Sequence, residues 1–301
     1  MKVLSLIEPW ATLIKDKKKF IETRSFKTSY RGELYIHASA TRINKDVLKR
    51  KELMDIVQDS TFSFGYIICK CKLVDCIYMT EEYIENIKNN NYQEYVCGEY
   101  KVGRYAWILE DITPLEQPIR ARGQLNIWNY YTEVEVMNFM EDIQYGWCDK
   151  NKKIFVDDFN NFGDDYRLQS PKEVIKNKVG VCWDQVELER YYFRSNDINV
   201  KTYFLVHYDN DMCPTHTFLT YEKNNKFYWF EHSWKMFRGI HEYGSLKELL
   251  SDVRNKFIRY ELNNEYLESN LVLHEYSKPK YNISVQEFYE HCDKGEYIEI
   301  K

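Results

Sequence analysis

Residues 66–73 alternate apolar and polar side chains with a period of two, which predicts a strand, whereas Leu188, Tyr191 and Tyr192 recur at i, i+3 and i+4 and predict a helix. Gly180 marks the loop that opens this helix, and Asp184, Glu187 and Arg190 are expected on its outward face. The runs 215–221 and 226–231 read as two more strands, joined across Lys223-Asn224-Asn225, whose Asn pair suits a hairpin turn. Near the start, Leu4-Ser5-Leu6-Ile7-Glu8-Pro9-Trp10-Ala11 is a strand that breaks into a short helix, with Pro9 where a first-turn proline is tolerated. A strand at 33–38 and a helix at 44–57 follow. A helix over 131–141 replaces any Gly/Ser linker, and Ser170-Pro171 caps another helix just before the Gly180 loop. Further helices near 246–255 and 284–292 complete an α+β pattern.

A length of 301 residues suggests two domains, and 44% hydrophobic with 30% charged residues describes an ordinary globular chain. Formal net charge is −5, which excludes strong non-specific duplex DNA binding, since that needs a broad basic surface to release counterions. No run has the length of a membrane span and the N-terminus lacks a secretory pattern, so a cytoplasmic protein without membrane contact is expected. Eight cysteines are too sparse for a disulfide framework in a chain this long and read as thiols. Cys69-Lys70-Cys71 with Cys76 lies in the strand pattern and lacks a second ligand pair, so no metal and no cofactor is expected.

Cys182 starts the helix that Gly180 introduces. A thiol there feels the positive end of the helix dipole and the unpaired N–H groups of the first turn, both of which favour the thiolate. Its own backbone N–H, or the Trp183 indole, is a candidate oxyanion donor. A nucleophile needs a base, and the base an orienting acceptor. With a two- or four-residue loop between the strands, cross-strand parity puts His216 and Glu231 on one face; an odd loop brings His232 instead. His207, inside the apolar run 203–206, reads as a satisfied strand histidine. In the even register Cys182, His216 and Glu231 supply nucleophile, proton carrier and acid.

The run from Gly180 to Arg190, the His216 strand and the aromatic strand ending in Glu231 resemble the transglutaminase-like, papain-related superfamily, whose acid is usually Asp. The resemblance implies a papain/transglutaminase-like domain at 144–301, behind a connecting helix at 131–143, and thiol-based amide chemistry with Cys182, His216 and Glu231 as the catalytic set.

Over residues 1–130, Lys19-Phe20-Ile21-Glu22-Thr23-Arg24, Tyr30-Arg31-Gly32, Gly103-Arg104-Tyr105-Ala106-Trp107 and Leu125-Asn126-Ile127-Trp128 occur in an order that closely resembles the ASCH domain, a PUA-like small β-barrel. That resemblance implies binding of RNA or a nucleobase-like ligand, with Lys19, Glu22 and Arg24 lining the pocket and Trp10, Tyr105 or Trp107 stacking on a base. One ASCH branch hydrolyses acetylated cytidine with a Lys and a Thr; Glu22 stands at the Thr position, and that activity is not carried over. The chain thus reads as a cysteine-dependent amide hydrolase or acyltransferase, working through a thioester on a peptide, protein or small molecule, with a ligand-binding ASCH-like domain. The alternative is a non-catalytic RNA or modified-nucleobase binder on an inactive scaffold.

Overall fold

The computed structural model describes residues 1–209 and 213–300, and the chain divides into two compact units, Met1–Tyr130 and Tyr131–Lys301. In the first, strands β1 (Lys2–Leu6), β2 (Ile21–Arg24), β3 (Gly32–Ala38), β4 (Tyr66–Tyr78), β5 (Tyr105–Arg120) and β6 (Ile127–Asn129) form one sheet in the order β2-β5-β4-β3-β1-β6. Only β1 and β3 run parallel. Three register shifts between β4 and β5 and one between β3 and β4 add local bends, curling the sheet into a half-barrel. β2 and β6 remain as edges, so the sheet is a curled half-barrel, consistent with the PUA-like fold expected from sequence. Helix α1 (Trp10–Lys15) packs Ala11 and Ile14 into the core of Leu34, Ile36, Ile68 and Trp107. The single helix expected at 44–57 is two short ones, α2 (Lys45–Leu48) and α3 (Lys51–Ile56), because the chain leaves helical geometry at Arg50. Helices α4 (Glu81–Asn90) and α5 (Tyr92–Val96) follow, each capped by a side chain of the preceding residue, Thr80 and Asn91.

The second unit starts with α6 (Glu133–Met140), which belongs to this unit and is fixed by a Thr132/Glu135 capping box. A small ribbon of β7 (Gly146–Cys148) and β8 (Ile154–Val156) precedes helices α7 (Phe162–Asp165), α8 (Pro171–Asn177) and α9 (Cys182–Ser195). Strands β9 (Val200–His207), β10 (Thr215–Lys223), β11 (Lys226–Glu231), β12 (Gly239–Tyr243), β13 (Leu271–Glu275) and β14 (Glu296–Tyr297) make an antiparallel sheet in the order β12-β11-β10-β9-β13-β14. One sheet face, with Phe204, Leu219 and Phe230, packs on Leu188 and Phe193 of α9. The other, with Tyr203, Phe218 and Trp229, packs on Leu249, Val253 and Phe257 of α10 (Leu246–Tyr260). Helix α11 (Val285–Asp293) adds Phe288 to the α9 core.

Helix α9 departs from the amphipathic reading. Asp184, Glu187 and Arg190, expected outward, are buried, while Tyr191, counted with the apolar stripe, is 53% exposed. Each buried charge has a local partner: Arg190 bonds both oxygens of Glu187 and the Thr202 hydroxyl, and Asp184 accepts from the backbone N–H of Val181 and Gln169 and from the Tyr166 hydroxyl. Charged residues paired this way can sit in a core that composition alone would deny them.

Candidate functional site

Cys182 is the first residue of α9, and Val181 before it is in extended conformation, so the thiol stands at the helix N-terminus. The Asn224-Asn225 turn is a two-residue one, with both residues at positive φ as a type I′ turn demands, and it pairs Lys223 with Lys226. Register then runs back to Leu219 opposite Phe230, which places His216 and Glu231 on one side of the sheet, at the end where β10 starts and β11 stops. Nε2 of His216 lies 2.8 Å from Oε2 of Glu231, and the Cys182 thiol is near enough to the same imidazole to raise its pKa. Since Nε2 is taken by the carboxylate, Nδ1 is the nitrogen left for sulfur.

The second oxygen of Glu231 accepts from the Ser233 hydroxyl (2.9 Å) and the Trp234 N–H (2.6 Å), so the acid is held from both sides. Burial penalises both charges of the pair, yet each partner more than offsets it. His216 is lifted to about 10 by the Glu231 charge and the nearby Cys182 thiol, and Glu231 is depressed by His216 and its two donors. At neutral pH the pair is therefore imidazolium and carboxylate.

His232, the odd-register alternative, points elsewhere. Its Nδ1 donates to Oε1 of Gln185 at 2.6 Å, Gln185 in turn donating to the Gly180 carbonyl. Burial and the nearby Arg238 push its pKa down to about 4, so it is neutral, and its buried Nε2 has no partner. His207 accepts the Leu267 N–H at 3.3 Å. Trp183 is caged by Phe162, Tyr166, Phe204, Phe288 and Tyr289, stacking on Phe288 at 4.5 Å, and its indole N–H finds no hydrogen-bond acceptor there.

Two residues at this site carried no sequence signal. Tyr145 neighbours Cys182, and burial together with the Cys182 thiol raises the pKa of its hydroxyl. Glu189, two turns beyond Cys182 on α9, is a buried carboxyl with one oxygen unpartnered; burial and the neighbouring Glu231 and Cys182 hold its pKa well above the usual range, so it stays neutral.

In the first unit the anticipated pocket residues separate. Lys19, expected to line a pocket, is fully buried: its ammonium meets Glu94 at 3.3 Å and the Ile21 carbonyl, while Glu94 also takes the Phe20 N–H and the Tyr100 hydroxyl. Its charge is spent inside the protein. Glu22 and Arg24 do meet, at 3.1 Å, with the Arg24 guanidinium 5.9 Å from the centre of the Trp107 ring and 3.4 Å from the Ser5 carbonyl. The Trp10 indole donates to the Cys97 carbonyl, and Tyr105 sits edge-on to Tyr78. Missed by sequence reasoning, Ser5 joins this region by accepting from the Trp128 indole and the Gln124 N–H, and buried His37 faces Trp128 with Nδ1 unpartnered.

All eight cysteines are free thiols. Cys69 and Cys71 are buried in β4, and burial raises both pKa values, that of Cys71 to about 12. Among the described residues no cluster of three His, Cys, Asp or Glu side chains could hold a metal ion, and no helix is long and apolar enough to cross a membrane.

Residues 4–119 match the model of the ASCH domain, a domain associated with RNA binding. This agrees with the curled, PUA-like sheet of the first unit. No curated protein matches the chain. The match ends within the first unit, and the transglutaminase-like reading of the second rests on its residues and their geometry.

Proposed function

We propose that the second unit performs cysteine-dependent amide chemistry through a thioester, as hydrolase or acyltransferase, on a transglutaminase-like scaffold, and that the first binds RNA or a nucleobase-like ligand. The observation that carries the catalytic half is the His216–Glu231 pair at 2.8 Å with Cys182 at the helix start beside it, near enough to raise the imidazole pKa. His216, steered by Glu231, holds the proton that sulfur gives up on attack. The thiolate attacks the amide carbon, imidazolium protonates the leaving nitrogen, and the resulting thioester is released to water or to an amine whose proton His216 takes up. No atom of this sequence comes from outside the chain and its substrates.

Incubation with 4-nitrophenyl acetate tests this: wild type gives a stoichiometric burst of 4-nitrophenol and an acetyl group on Cys182, whereas Cys182→Ala and His216→Ala give neither. An equal burst in Cys182→Ala removes the catalytic reading. One observation favours the alternative, a binding protein on an inactive scaffold. Cys182, His216 and Glu231 are all at most 5% exposed, so a substrate must displace covering side chains.

For the ligand half, the support is the ASCH match together with the Glu22–Arg24 pair over Trp107. A guanidinium and a carboxylate can read the polar edge of a base. Fluorescence anisotropy with a labelled single-stranded RNA should show weaker binding for Arg24→Ala and no change for Cys182→Ala; an unchanged affinity in Arg24→Ala contradicts the assignment.

A further inference from the structure

We propose that Gln185 is a positioning residue whose carboxamide ties the loop that delivers Cys182 to the turn that holds Glu231, by way of His232, and so keeps sulfur aligned with the imidazole. This role rests on the reading of Cys182 as nucleophile, and it gives a task to a buried histidine that the set of Cys182, His216 and Glu231 leaves unused.

Residues 231–234 serve two purposes at once. The Glu231 carboxylate accepts from the Ser233 hydroxyl and the Trp234 N–H and meets His216 at 2.8 Å. His232, the next residue, sends its fully buried ring to α9 instead, where Nδ1 lies 2.6 Å from Oε1 of Gln185. Its backbone carbonyl is held in turn by Nε of Arg238 at 2.9 Å. The segment that fixes the acid therefore also grips the helix of the nucleophile.

The other end of the Gln185 carboxamide reaches the nucleophile's loop. Nε2 donates to the Gly180 carbonyl at 2.7 Å, two residues before Cys182. Beside it, Asp184 accepts the Val181 N–H at 3.1 Å, and the Gln144 carbonyl accepts the Gly180 N–H at 3.1 Å. A Cβ on Gly180 would stand 2.9 Å from the Asp184 Cβ, so only glycine lets the loop come down onto these two side chains. Of the three anchors, Gln185 is the one that leads to the Glu231 turn. Asp184 continues to Tyr166 and Gln169.

Chemistry fixes the direction of each bond in this bridge. The Gly180 carbonyl can only accept, so the NH₂ of Gln185 faces it and the Gln185 oxygen faces His232. Nδ1 of His232 then carries the ring proton. Its Nε2 is buried without a partner, so a second proton there would find no acceptor, in accord with burial pushing the pKa down to about 4. His232 is thus a fixed donor rather than a proton carrier. With the bridge cut, the Cys182 loop and the Glu231 turn lose their common anchor, and misplacing reacting groups by about 1 Å can cost about 10²-fold in rate.

Substitutions at both ends of the bridge, made in the full chain, test this. Gln185→Met fills similar space without a hydrogen bond, and His232→Leu removes the ring donor. His232→Asn puts an amide N–H where Nδ1 was, whereas His232→Gln puts one where Nε2 was. The readout is the rate of the 4-nitrophenol burst at saturating 4-nitrophenyl acetate, at a temperature where circular dichroism shows the variants folded. Gln185→Met, His232→Leu and His232→Gln should each be about 10–10²-fold slower than wild type, while His232→Asn keeps most of the rate. The double variant Gln185→Met/His232→Leu should be no slower than the slower single one, because one bridge is lost only once. An unchanged rate in Gln185→Met, His232→Asn as slow as His232→Leu, or losses that multiply in the double variant overturns the positioning role and leaves Cys182 as nucleophile. If Gln185→Met does not fold, the His232 series decides on the same terms. A wild-type protein with no burst at Cys182 overturns the nucleophile reading, and the role of Gln185 with it.

Discussion

Replacing Glu231 by Gln keeps the size of the side chain and removes only its charge, so its effect follows from hydrogen bonds already described. The carboxylate accepts from Ser233 and Trp234 on one oxygen and bonds Nε2 of His216 at 2.8 Å on the other. An amide can satisfy the two donors only with its own oxygen, which turns its NH₂ toward His216. Nε2 must then accept, and the imidazole proton moves to Nδ1, the nitrogen that should take the proton of Cys182. The same acid-to-amide change in a Ser-His-Asp triad costs about 10⁴ in kcat by enforcing the wrong tautomer, and a loss approaching that size is expected here. It also removes the charge that lifts His216 to about 10, so the ring loses its hold on the proton at neutral pH. Stopped-flow acylation by 4-nitrophenyl acetate across pH reads both effects. Wild type should acylate rapidly at neutral pH, and Glu231→Gln should react slowly with a changed pH profile, because His216 no longer keeps its raised pKa. A variant with the wild-type rate and profile refutes the reasoning. For stability the sign is fixed by the same shifts. The raised His216 contributes fully below its ordinary 6.5 and loses its contribution as pH climbs through about 10; the depressed Glu231 contributes above 4.5 and loses it as pH falls through its folded value.

Other consequences are structural. Asp184→Ala leaves the Tyr166 hydroxyl and two backbone N–H groups buried without an acceptor, at about 1–3 kcal/mol for each, and chemical denaturation should show a loss of several kcal/mol. Glu189→Gln should gain stability relative to wild type as pH rises above 4.5, because the folded carboxyl stays protonated while the unfolded one ionises; urea melts at pH 4 and pH 8 check this, and a pH-independent difference contradicts it. Lys19→Met strands the buried Glu94 charge and should cost about 3–5 kcal/mol, with much of it restored in Lys19→Met/Glu94→Gln; a mild single-variant effect would reopen Lys19 as a ligand contact.

The parts of this arrangement that follow local rules were readable from sequence. A glycine-led helix start put Cys182 at an N-terminus, and the Asn224-Asn225 turn set the parity that brings His216 and Glu231 together. Ser170 with Glu173 announced its capping box in the same way. Residues that depend on distant chain segments were not readable. Tyr145 neighbours Cys182 through the backbone bridge of Gln144 to residues 178–180, and no periodicity encodes that. Glu94, which claims Lys19, lies on α5, remote in sequence from the motif whose lysine it binds. Helix α9 shows why polarity misleads for a central helix. Its charges are sheltered by partners on the same turn, on β9 and in the segment before α8, so the outward face inferred from composition lies inside.

The most direct measurement compares two thiols of one molecule. Cys213 is exposed and Cys182 is 4% exposed, so accessibility alone makes iodoacetamide modify Cys213 first. With Cys182 activated by His216, peptide mapping after brief treatment at pH 6 should instead find carbamidomethyl on Cys182 ahead of Cys213, and His216→Ala should reverse the order. Cys213 modified and Cys182 intact in the wild-type protein would contradict the account.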